Sequence, residues 1–398
     1  MGSKRTKGAS RKAALLGMIV FAFAAGASAG PQLLTPPSIP APPPRALAPS
    51  TQESRDPFAV FTPQEMKAFV AAALKADALK DPMKRCLNFP DPPGSHWSRE
   101  GVAAYCHYFL QPTVSLAEFD RLVTSGHAKE LDQRFSSWAA DSKDHPDAFW
   151  HFLLTNFLNG DAVRQTLIES WKQQSPDSAF AYALSGWNYT YLGWAARGDA
   201  YGDDTPQASL DAMANSMERA RGDIEKAIQL NPKLSAPYAT MISLGTAMGD
   251  HAYVSQGARQ GLQERTGKYA VFTRLALYTS ARWYGSPGAR QWLLSQVDQS
   301  DAEQPLLHVI RPFVLAYDAG IDHRDPVDGD WTVYRRVFDD VAMTSILKAA
   351  GEAALRHRQY AVAYVYLSEA ARSDASNEEL SRERAQSLSF VDLSSEGH

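Results

Sequence analysis

Cys86 and Cys106 are the only cysteines in this 398-residue chain. The stretch they bound, CLNFPDPPGSHWSREGVAAYC, contains His96 and Trp97, and His107 follows it directly. Three chemistries compete for such a set. A thiolate helped by His107 would be a nucleophile, but a second cysteine is at hand and nothing in the sequence depresses a thiol pKa. Zinc would need Cys86, Cys106, His96 and His107 together, and their spacing is not that of a finger. A disulfide is the third choice, and the redox compartment decides it.

Other reactive patterns are weaker. The ten histidines include no H-E-x-x-H pair. Asp322, Asp325, Asp328 and Asp330 cluster in IDHRDPVDGDW, without the glycine position and terminal glutamate of an EF-hand loop. That cluster reads as a polar loop before a helix near Trp331. There is no G-x-x-x-x-G-K-[ST], no G-x-G-x-x-G after a strand and no G-x-S-x-G elbow. Glu218 and Glu225 share a helical face, but nothing marks them as an acid–base pair. No catalytic residue, metal or cofactor is assigned.

Aromatic residues carry the strongest signal. In WNYTYLGWAARG, Trp187, Tyr191 and Trp194 fall at i, i+4 and i+7, on one helical face, with Arg197 behind them. Such a face could floor a groove for a peptide or glycan, since Trp, Tyr and Arg are common interface anchors. It could equally pack against the next helix, with Arg197 serving helix-end carbonyls. Arg282 and Trp283, ahead of Gly285, pose the same choice. The candidate binding residues are therefore Trp187, Tyr191, Trp194, Arg197, Arg282 and Trp283.

The elements that would position these groups are helical. From Phe58 onward no convincing strand or hairpin turn is present. Thr62, Pro63 and Glu65 form a capping box with proline in the first turn, and Ser115 with Glu118 repeats the box. FWHFLLTNFL (149–158) and much of 180–196 are apolar on most faces, as in helices buried between helices.

The N-terminus sets the compartment. Five basic residues in 1–12 precede a 14-residue apolar run, Ala13 to Gly26, and the small residues of ASA at 27–29. That order predicts a secretory signal peptide over 1–29; the run is short of the roughly 20 residues that span a bilayer. Residues 31–50 carry eight prolines, so 30–57 is expected to be a semi-rigid tether. Cleavage would remove five positive charges and take the formal net charge from −4 to about −9. That acidity argues against nucleic acid, and no later segment is long and apolar enough to be an integral membrane span. Export favours a Cys86–Cys106 disulfide, which would stabilise the fold by roughly 3 kcal/mol by closing its loop.

Ala220, Ile224, Ala227 and Pro232 stand at offsets 0, 4, 7 and 12, and Ala363, Leu367 and Ala370 repeat the first three, with Gly351 twelve residues earlier. These spacings resemble the second helix of a tetratricopeptide repeat, clearly over 344–377 and partially over 201–234. GWAARGDAYGDD (193–204), the helix after it and ARWYGSPGARQWL (281–293) together resemble a bacterial domain-of-unknown-function family with tetratricopeptide-like helices, over roughly 145–300. The resemblance implies a helical fold and a secretory setting, and no activity.

The expected architecture is all-α: an irregular solenoid of tetratricopeptide-like helical hairpins over 144–375, preceded by a disulfide-tied helical region over 58–143 and followed by a polar tail over 376–398. Such a stack presents a concave face. The function expected from it is that of a non-catalytic periplasmic or secreted scaffold that binds a protein or peptide partner in the cell envelope. The alternative is a hydrolase acting on envelope glycans or peptides.

Overall fold

The computed structural model describes residues 60–198, 200, 204–263, 268–283, 285–300, 303–321, 330–391 and 393. The expected signal segment, 1–29, and tether, 30–57, lie outside the described residues. Among the described residues the secondary structure is helical and contains no strand. Helices α1 (Pro63–Asp77), α2 (Pro82–Asn88), α3 (Arg99–Leu110), α4 (Leu116–Thr124) and α5 (Lys129–Ala140) build the first part. Then follow α6 (Ala148–Asn156), α7 (Ala162–Gln174), α8 (Ala179–Arg197), α9 (Gln207–Leu230), α10 (Ser235–Met248), α11 (His251–Gln263) and α12 (Lys268–Tyr278). The last part holds α13 (Pro287–Ser300), α14 (Ile310–Asp318), α15 (Val333–Val337), α16 (Thr344–Arg356), α17 (Tyr360–Ser373) and α18 (Glu378–Leu388).

Local chemistry starts these helices where expected. The Thr62 hydroxyl accepts from Glu65 N at 3.2 Å, and the Glu65 carboxylate accepts from Thr62 N at 2.7 Å. Ser98 and Ser115 cap α3 and α4 through their hydroxyls. Consecutive helices pack in pairs, most extensively α8 with α9, α16 with α17 and α10 with α11, in a solenoid-like all-α arrangement. The predicted repeat positions are the buried seams of two pairs. Ala220, Ile224 and Ala227 of α9, and Ala363, Leu367 and Ala370 of α17, are all 0% exposed.

Three expectations are revised. The unit at 201–234 is not a helix–turn–helix, because α9 runs unbroken from Gln207 to Leu230 and pairs with α8. The 376–398 stretch is not simply a tail: α18 docks on α17 with Leu380 fully buried, and Arg384 reaches Asp77 of α1 at 2.7 Å.

The third revision concerns the disulfide region, which does not stand apart from the repeats. Cys86 and Cys106 are bonded, and the turn between them packs on the C-terminal helices. His96 N donates to Asp339 O at 2.9 Å, and Trp97 Nε1 donates to Phe338 O at 3.0 Å. Arg85 Nη1 donates to the carbonyls of Ala371 (2.6 Å) and Arg372 (2.9 Å), while Arg372 Nε donates to Cys86 O at 2.8 Å. The first helices of the described chain therefore close on its last ones.

Candidate functional site

Four of the six side chains expected at a binding face meet at one cavity. Tyr191 and Trp194 of α8, with Arg282 and Trp283 of the 3₁₀ turn Ala281–Trp283, line a space of about 370 Å³. Thr190 of α8, Ser243, Thr246 and Ala247 of α10, Arg274 and Leu277 of α12, and Tyr317 of α14 complete the wall.

Each wall has a local cause. Helix α8 begins at Ser178, whose hydroxyl accepts from Ala181 N at 3.0 Å, and continues to Arg197, where Gly198 takes φ 75°. Its last two turns thus carry Tyr191 and Trp194 past the buried middle of the helix. The 3₁₀ turn depends on a close backbone return: Gly285 N donates to Ser280 O at 2.8 Å, and a Cβ at 285 would sit 1.8 Å from Thr279 O. Only glycine fits there. The return aims Trp283 at α14, where its Nε1 donates to Tyr317 Oη at 3.0 Å. Its ring meets Trp194 edge to face, with centroids 5.9 Å apart.

Two guanidinium groups face this space, and no Asp or Glu lines it. Arg274 lies on the floor, its guanidinium 5.0 Å from the Trp150 ring and 5.1 Å from the Trp187 ring. Its Nε is buried with no hydrogen-bond partner. Arg282, exposed at the rim, lies 5.7 Å from the Trp283 ring. The hydroxyls of Thr190, Ser243 and Thr246 donate to carbonyls of their own helices, at 2.8, 3.2 and 2.7 Å.

The remaining two candidates are placed differently. Trp187 is 0% exposed. Its Nε1 donates to Phe157 O at 2.9 Å, and its ring packs between Trp150 and Tyr191. It is a core residue that supports the cavity from beneath. Arg197 donates to Gly198 O at 3.1 Å and lies 6.0 Å from the Trp194 ring, a helix-end position outside the cavity wall. Arg274 was missed by sequence reasoning. Its signal is a lone charge within the otherwise uncharged run YAVFTRLALY at 269–278.

A larger cavity of about 910 Å³ adjoins the first and shares Arg282 and Tyr317 with it. Its Arg290 and Arg311 are neutralised by Asp318 and Asp298. A third, of about 280 Å³, is lined by His145, Asp147, Trp150 and Ser235 among others. Asp147 adopts a left-handed backbone (φ 48°), and its carboxylate accepts from Ser235 Oγ at 2.9 Å and Ala270 N at 3.3 Å, at the starts of α10 and α12. Burial pushes its pKa up to about 6, against the pull of those hydrogen bonds.

Among the described residues no group of three or more His, Cys, Asp or Glu side chains could hold a metal ion. Asp322, Asp325 and Asp328 of the expected acidic loop lie outside the described residues; Asp330 accepts from Thr332 N at 3.0 Å. No described helix is long and apolar enough to cross a membrane.

No curated protein and no solved structure matches the chain. One family model does, over residues 115–259, from the cap of α4 into α11. The matched segment holds the α8 and α10 walls of the aromatic cavity, while Arg274, Arg282, Trp283 and Tyr317 fall beyond it. The 115–259 segment is thus similar to the family described as Domain of unknown function (DUF4034), one to which no activity is attached.

Proposed function

We propose that this is a non-catalytic binding protein, exported to the bacterial periplasm or beyond, that engages a protein or peptide partner through the aromatic cavity. One observation carries the reading. Tyr191, Trp194 and Trp283 converge with Arg274 and Arg282 in a concave space without a carboxylate. Apolar concavities with a few directed polar groups are the usual form of ligand sites. The Cys86–Cys106 disulfide supports export, since such bonds persist in oxidising compartments. The test is cross-linking in cells with a photoreactive residue at position 194 and, as control, at Val163, which is exposed and outside the cavity lining. A partner captured from 194 and not from 163 supports the reading; no enrichment at 194 overturns it.

Asp147 favours a second reading, a hydrolase acting on envelope glycans or peptides. A carboxyl poised near neutrality in a cavity is a general-acid candidate. Both its oxygens, however, are engaged at the starts of α10 and α12. If Asp147→Asn left turnover of cell-wall fragments unchanged, or if the unaltered protein showed none, this reading would fall.

A further inference from the structure

Within the aromatic cavity, we infer that the ligand is the C-terminal residue of a peptide chain, its carboxylate on Arg274 and its apolar side chain against Trp194 and Trp283. The inference rests on the binding reading above and specifies what the cavity recognises.

Among the described residues, Arg274 is the exception to how sequestered arginines are paired. Arg85, Arg290, Arg372 and Arg384 each hold an aspartate: Asp77, Asp318, Asp91 and Asp77 respectively. Arg274 is half-buried and makes no ion pair among the described residues, and its Nε atom, itself buried, has no hydrogen-bond partner. A half-buried charge without a counter-ion carries a desolvation cost. The rings of Trp150 and Trp187 offset part of that cost through their π faces. The missing counter-ion is what an incoming anion would supply.

The shape of the donor selects among anions. Its two Nη groups present a planar pair of N–H donors that matches the two oxygens of a carboxylate. The hydroxyls of Thr190, Ser243 and Thr246 already donate to their own helices, so the guanidinium groups are the charged donors left in the wall. Arg282 at the rim adds a second positive charge on the route in. Trp194, Trp283, Leu277 and Ala247 make the rest of the wall apolar. A ligand suited to both parts needs a carboxylate and an apolar group on the same small unit. In a polypeptide the C-terminal residue is where both leave one carbon. A volume of about 370 Å³ is at the lower end of ligand cavities, suited to one or two residues rather than a folded partner.

The experiment uses the full protein with its disulfide intact and fluorescein-labelled hexapeptides ending in Phe, one as the free acid and one as the C-terminal amide. Anisotropy should show the acid binding about 10- to 100-fold more tightly, the loss expected when a charged hydrogen-bond pair is broken. Replacing the terminal Phe by Asp should also weaken binding. Arg274→Gln should abolish the acid–amide difference, and Arg282→Ala should weaken the acid several-fold. Because Arg274 also covers Trp150 and Trp187, the acid–amide comparison on the unaltered protein carries the decision, and helicity is checked in each variant. Equal binding of acid and amide, or no binding of the acid up to about 1 mM, overturns the inference. If position 194 still cross-links a partner in that case, the binding reading stands and the partner docks by an internal segment; if it does not, both fall.

Discussion

The same substitution should have opposite effects at two helical glycines, and the difference between them measures the helix packing on which the fold rests. Gly222 lies exposed on α9, and a Cβ built there meets nothing within 4 Å. Gly222→Ala should gain the ordinary propensity difference of about 1 kcal/mol. Gly351 lies in α16 against α17. A Cβ there would fall 2.5 Å from Leu367 Cγ and 2.9 Å from the Leu367 backbone nitrogen. Rotating the Leu367 side chain relieves the first contact but not the second, so α17 must move by several tenths of an ångström. That movement disturbs Ala363, Leu367 and Ala370, each 0% exposed. Overpacking of this kind costs about 1–3 kcal/mol. The propensity gain is common to both sites, so subtracting one result from the other leaves the packing cost alone. Urea unfolding of both variants, with the disulfide intact and equal m values, gives that difference. It should be about 1–3 kcal/mol in favour of Gly222→Ala. If Gly351→Ala stabilises the protein as much as Gly222→Ala, the close approach of α16 and α17 is refuted.

Two further outcomes follow from the disulfide and the buried titrating groups. Changing both cysteines to serine opens a loop with a sequence separation of 20 and should cost roughly 3 kcal/mol of stability. Hydrogen exchange should then rise in α2, α3 and the facing 338–344 segment, and an unchanged melt would contradict the clamp. Asp147 and His151 should impose opposite pH trends. Burial raises the Asp147 pKa to about 6, so its contribution to stability falls as pH rises from about 4 to 6. Burial lowers the His151 pKa to about 4, so its contribution rises as pH rises from about 4 to 6.5. Subtracting the pH–stability curve of Asp147→Asn from that of the unaltered protein should give a falling difference over that window, and His151→Phe a rising one. Two differences of the same slope would be inconsistent with these environments.

Sequence periodicity fixes the face of a helix but not the depth at which each residue of that face ends. Trp187 and Trp194 are seven residues apart on the same stripe of α8, and the spacing reads them alike. Trp187 lies where α8 is covered on all sides, with Trp150 edge-on at 4.9 Å and Arg274 above it. Trp194 lies two turns further on, where the cover ends and Trp283 arrives from another helix pair. The stripe was legible because it is local; the point at which its cover stops depends on α10, α12 and a 3₁₀ turn almost a hundred residues away. The seam of α9 illustrates the same limit. Ala220, Ile224 and Ala227 were readable as a buried face, yet they face α8, a preceding helix, rather than the first half of a 34-residue unit. No proline interrupts 207–230, and Gly222 alone does not break a helix whose buried face continues on both sides. The cysteines were legible for a different reason. Their pairing was expected from the compartment that the N-terminal segment predicts, but the partner of their turn, at Phe338, Asp339 and Arg372, is more than 200 residues away. Arg274 belongs to the same class of long-range fact. A lone cation in an apolar helix either finds a carboxylate or is left facing a space, and only the packing of α8, α10 and α14 around it leaves the space. Under the proposed binding role, that unpaired guanidinium, rather than the aromatic stripe of α8, is what selects the ligand.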